Sequence, residues 1–149
     1  MPRFATLIFC ACIVKTLGEE EAATATCSPT TGIDGYHLLE LNRTFRLVDT
    51  TLAIQTTNTY RCITATTTDK KEDAHEVTET VEYFRLSTER WESFSQSFVF
   101  QCGPEGYNTM TTIDQHIVNT GPPSGSYEFL KRDPACTILR AKRFDRTDN

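Results

Sequence analysis

Hydrophobic residues in this chain follow two patterns. Residues 5–14 (ATLIFCACIV) form a nearly unbroken apolar run. From Thr44 onwards, polar and apolar residues alternate with a period near two, the spacing of a half-buried strand. Glu92, Phe94, Gln96, Phe98 and Phe100 fall on one face of such a segment, and Ser93, Ser95 and Ser97 on the other. The alternation predicts seven strands, over 44–51, 59–69, 76–87, 91–101, 107–119, 126–131 and 136–144. The breaks between them carry turn chemistry: the charged tip Asp69-Lys70-Lys71-Glu72-Asp73, then Gly103-Pro104-Glu105-Gly106, Gly121-Pro122-Pro123-Ser124-Gly125 and Arg132-Asp133-Pro134. Before the first strand a short helix is expected, with Asp34 as N-cap and Tyr36, Leu38 and Leu39 packing inward. Seven hairpin-connected strands in one small domain point to an up-and-down barrel or a sandwich.

The apolar run changes meaning once its flanks are considered. Arg3 precedes it, small residues close it, and it is too short to span a bilayer, so residues 1–18 read as a secretory signal peptide. The arm 19–32 is acidic and rich in Ala and Thr, and 33–149 is the β domain. Removal of the leader leaves 13 basic against 20 acidic residues. That balance disfavours nucleic acid and anionic membranes, which both demand positive surface. The leader also carries off Cys10 and Cys12. Cys27, Cys62, Cys102 and Cys136 remain, an even number that in an exported chain predicts two disulfides with three possible connectivities. Their wide spacing, without clustered histidines, argues against a zinc site. His37, His75 and His116 are too scattered to bind metal. Asn42-Arg43-Thr44 is an N-glycosylation sequon. No G-x-S-x-G, H-E-x-x-H or phosphate-binding loop is present, so neither an enzyme nor a cofactor is expected.

An ordered set of segments resembles the salivary lipocalins of ticks, the group that includes the histamine-binding proteins. It comprises Phe45-Arg46-Leu47-Val48, Tyr60-Arg61-Cys62-Ile63-Thr64-Ala65, Val77-Thr78-Glu79-Thr80-Val81-Glu82-Tyr83, Tyr107-Asn108-Thr109-Met110, Ser126-Tyr127-Glu128-Phe129-Leu130 and Cys136-Thr137-Ile138-Leu139. The resemblance implies an all-β, antiparallel up-and-down lipocalin (calycin) barrel with a short N-terminal helix. It also implies that the usual last strand is missing, since the family continues further past the cysteine that Cys136 matches. The pairing it favours is Cys102–Cys136, which leaves Cys27 for Cys62. The function it implies is sequestration of a small host mediator, histamine or serotonin first among them. Eicosanoid binding, or protein inhibition of complement, platelets or proteases through surface loops, are its alternatives.

A barrel that takes an ammonium from water must supply a buried carboxylate and benefits from aromatic walls. Mid-strand carboxylates are therefore the candidates: Glu82, beside Tyr83 and Phe84, then Asp114, with Asp49 and Glu128 as weaker options. Trp91 is a candidate pocket wall or core plug. For an anionic lipid ligand the candidates are Arg46, Arg61 and Arg85, on an inward face free of carboxylates.

Overall fold

The computed structural model describes residues 5–10, 27, 33–51, 59–113, 124–133 and 136–143. Its elements are β1 (Ala5–Cys10), α1 (Gly35–Leu38), β2 (Thr44–Thr50), β3 (Tyr60–Lys71), β4 (Glu76–Arg85), β5 (Arg90–Gly103), β6 (Gly106–Thr112), β7 (Gly125–Asp133) and β8 (Cys136–Arg143). The seven strands β2 to β8 form one curved antiparallel sheet in chain order, and β1 bridges its two edges to close a barrel. All seven expected strands are present. Ala5–Cys10 is seated between β8 and β2.

Alternation decides which residues face inward. Phe45 and Leu47 on β2, Val77 on β4, Phe98 and Phe100 on β5, Met110 on β6, Phe129 on β7, and Leu139 and Ala141 on β8 are all buried. The opposite face of β3, β4 and β5 carries hydroxyls that pair across strands: Thr68 with Thr80 at 3.1 Å, Thr80 with Ser95 at 2.8 Å and Thr78 with Ser97 at 2.9 Å. Such cross-strand pairs suit β-branched residues on a solvated wall.

The helix covers one end. Asp34 caps it as expected, its Oδ1 accepting from the His37 backbone N–H at 2.9 Å. Tyr36, 1 % exposed, packs edge-on against Phe100 and lies under the Lys70 ammonium, 4.0 Å from its ring centre. The same ammonium donates to the Tyr36 carbonyl at 3.1 Å. His75 stacks on Tyr107 beside it at 4.1 Å. Gly35 is required here, because a Cβ would lie 2.5 Å from the Phe129 ring.

The cysteines correct the expected pairing. Cys102, at the end of β5, is bonded to Cys27 with Cα atoms 6.0 Å apart, while Cys62 and Cys136 are not in a disulfide. Cys102–Cys136 is ruled out by strand order. Three strand spacings separate β5 from β8, on the order of 14 Å around the wall, and a bridge needs Cα atoms within about 7 Å. Cys27–Cys62 fails along the barrel axis. Cys62 sits near the start of β3, about 30 Å of strand from the helix-covered end where Cys102 holds Cys27.

Candidate functional site

The barrel interior holds a polar level between two apolar ones. Thr67, Glu79 and Gln96 are register partners on three neighbouring strands, β3, β4 and β5, and all are buried. Toward α1 the next paired level is Val77 with Phe98. Away from it come Val81 with Phe94, then Tyr83 with Glu92. The Thr67 hydroxyl donates to Glu79 Oε1 at 2.6 Å.

Glu79 is 5 % exposed, and among the described residues it is the only buried carboxylate. Burial pushes its carboxyl up to about 7, against a smaller opposing effect of the Thr67 hydrogen bond. A carboxyl so placed is poised between its neutral and charged forms near neutral pH. A cation brought beside it would tip it to the charged form, because the pair together escapes the cost that the lone charge bears.

A second polar group lies at the end opposite the helix. Arg85 Nη2 and the Tyr83 hydroxyl both donate to Glu92 Oε2, at 2.7 and 3.0 Å. The Arg85 guanidinium holds the Glu92 carboxyl below the usual carboxylate range. Tyr60 packs edge-on against Tyr83 at 4.9 Å and under Arg85 at 5.4 Å. This carboxylate is already paired and solvated, so it offers a cation less than Glu79 does.

The residues singled out from the sequence are placed unevenly. Tyr83 faces the interior. Glu82 does not, because Val77 and Glu79 set the inward parity of β4 and leave Thr78, Thr80 and Glu82 on the outer wall, where Glu82 is exposed. Phe84 shares that outer face and meets Trp91 edge-on at 5.7 Å. Trp91 is 63 % exposed, neither core plug nor interior wall. Glu82 and Trp91 instead line a shallow outer groove of about 480 Å³ with Arg46, Cys62 and Thr64. Asp49, near the end of β2, is exposed and accepts from the Thr50 backbone N–H. Glu128 pairs with Arg140 at 3.2 Å on the outer wall. Arg61 is exposed and Arg46 faces out, so only Arg85 of the three arginines is on the inner face. Asp114 and His116 lie outside the described residues, as do residues 19–26 and 28–32 of the arm. Among the described residues no group of three or more His, Cys, Asp or Glu could hold a metal ion, and no helix is long and apolar enough to cross a membrane.

The sequence points to Glu82 rather than to Glu79, three residues away and of opposite parity, because Glu82 adjoins Tyr83 and shares a face with Phe84. The signal lay in the neighbours: Val77, Val81 and Tyr83 share the parity of Glu79, while Glu82 belongs with Thr78 and Thr80.

Comparison with known proteins agrees with this architecture. Neither the search of curated proteins nor that of solved structures returned a match. Among protein families, the one described as tick histamine binding protein matches residues 35–149, which take in α1 and β2 to β8. With so much of its length matched, the chain belongs to the tick histamine-binding protein family.

Proposed function

We propose that this is a secreted binder that sequesters a biogenic amine, histamine or serotonin first, with Glu79 as the counter-ion of its ammonium. Buried Glu79 carries the reading: a carboxylate that burial destabilises when alone is stabilised by an ammonium beside it. Thr67 orients one of its oxygens, and Phe98 and Phe94 on the adjoining levels supply aromatic residues that an aromatic amine would favour. The lipid-mediator alternative required an inner face with an arginine and no carboxylate. Arg85 is there, but it is bound to Glu92, and Glu79 lies deeper. Export follows from the leader at 1–18, and Asn42, exposed in the turn before β2, is then open to glycosylation. Suppression of host defence is the purpose such sequestration would serve.

Calorimetric titration of the secreted protein with histamine and serotonin tests the proposal. Saturable 1:1 heat is expected from at least one of them. No heat from either at millimolar ligand rules the amine reading out.

A second reading, protein inhibition through the outer surface, is favoured by exposed Trp91 above the groove that Glu82 and Arg46 share. Aromatic and arginine side chains of this kind anchor protein interfaces. Pull-down from host plasma followed by mass spectrometry tests it, and retention of a host protein lost on Trp91→Ala is its expected mark.

A further inference from the structure

Two neighbouring levels of the outer wall repeat one arrangement on either side of β3. On the first, the register runs from Arg46 on β2 through Thr64 on β3 to Glu82 on β4. Arg46 and Glu82 are both exposed, and neither enters any of the ion pairs among the described residues. They flank Thr64 at two strand spacings, about 9–10 Å apart, and do not meet within one copy. On the second level, toward the end opposite α1, stand Val48 on β2, Cys62 on β3 and Phe84 on β4, with Trp91 beside Phe84 on β5. Val48 is 53 % exposed, and Cys62 is exposed and outside the Cys27–Cys102 bridge. Small Cys62 and Thr64 between larger flanks make the shallow outer groove.

A half-turn about an axis laid on this face along β3 exchanges the places of β2 and β4. It sets Arg46 of each copy over Glu82 of the other. One level on, it sets Val48 of each copy over Phe84 and the neighbouring Trp91 of the other. Cys62 and Thr64 lie on the axis and meet their own counterparts. Opposite charges therefore face each other at one level and apolar side chains at the next, the self-complementarity that an isologous two-fold contact requires. Arg61, three residues back from Thr64, also meets its counterpart, and exposed Asp49, three residues beyond Arg46, flanks each of the two. We infer that the outer face of β2, β3 and β4 is the interface of a homodimer with this two-fold axis. A host protein on the same groove has no need of a face whose charge reverses across β3, whereas a second copy does. Few residues a side take part, so a weak, exchanging dimer with a Kd of about 1–100 μM is expected. Each copy keeps its own closed core, so dissociation leaves a folded monomer. The inference does not depend on which small molecule the barrel holds.

The test is sedimentation of the secreted full chain under reducing conditions, across the concentration range just given, for the native protein and four variants. Native protein and C62S should show the same monomer–dimer equilibrium. R46E and E82R each turn two attractive pairs into two repulsive ones and should weaken it by about tenfold or more. R46E with E82R restores both pairs with the signs exchanged and should return to within about threefold of native, a recovery that neither misfolding nor a change in net charge produces. Glutathione disulfide should then trap the native dimer. Two Cys62 thiols give up two protons and two electrons and join, and the reagent leaves as two thiols. Peptide mapping should recover Cys62 linked to Cys62. A monomer at every concentration overturns the inference, and so does a dimer indifferent to R46E and E82R, a double variant no better than the single ones, or a trapped dimer joined through Cys136. A chain that stays monomeric and retains a host plasma protein through Trp91 gives the face to that protein and overturns it equally.

Discussion

Replacing Glu79 with Gln preserves side-chain shape and leaves Oε1 to accept from Thr67, so the substitution changes charge and little else. Its effect on stability is worked from the displaced titration. Burial raises the folded carboxyl from its ordinary value of 4.5 to about 7. A carboxyl raised in the folded state contributes stability that is fully present below pH 4.5 and is lost as pH rises through about 7. At pH 8 that loss amounts to about 3 kcal/mol. The Gln variant has no such group, so ligand-free E79Q should be more stable than the native protein at pH 8, by up to about 3 kcal/mol, and nearly equal to it at pH 4. Binding should move the other way. An ammonium left beside a neutral amide loses its counter-ion, which weakens histamine or serotonin by about 100-fold or more. In the native protein an amine that stays protonated from pH 6 to 8 should bind about tenfold more weakly at pH 6, as Glu79 takes up its proton. In E79Q that slope should vanish. Urea unfolding at pH 4 and 8, together with calorimetric titration at pH 6 and 8, measures all of these. Amine affinity within threefold of native in E79Q refutes the counter-ion role. Equal stabilities at pH 8 refute the burial argument itself.

The disulfide and the packing of the helix give further expectations. Peptide mapping without reduction should recover Cys27 linked to Cys102, and a Cys102–Cys136 link would contradict the fold. Removing the bridge with C27S and C102S, across a sequence separation of 75, should cost about 2–4 kcal/mol in urea unfolding. Gly35→Ala drives a Cβ into the Phe129 ring and should destabilise by about 1–3 kcal/mol; Phe129→Leu in the same chain should recover part of that loss, as a double-mutant cycle would show. Glu82→Gln and Trp91→Ala alter exposed outer-wall residues, so each should change stability by less than about 0.5 kcal/mol and leave amine affinity within twofold. A tenfold loss from either would relocate the site to the outer groove.

The sequence by itself determined the class of fold, because strand alternation is a local property that each segment writes into its own residues. The seven strands, the Asp34 cap and the face shared by Phe94, Gln96, Phe98 and Phe100 were all legible for that reason. It did not determine which carboxylate is interior. Parity on β4 is settled only when the strand is paired, because apolar residues stand on both faces: Val77, Val81 and Tyr83 share the parity of Glu79, but Phe84 and Leu86 share that of Glu82. Glu79 becomes a site through its neighbours Thr67 and Gln96, twelve and seventeen residues away along the chain. The cysteine pairing and the seating of Ala5–Cys10 were beyond the sequence for the same cause. Both depend on distances around a closed wall, where β5 and β8 lie far apart while Cys27 and Cys102 come together. Local chemistry chose the strands, and closure of the barrel decided what they enclose.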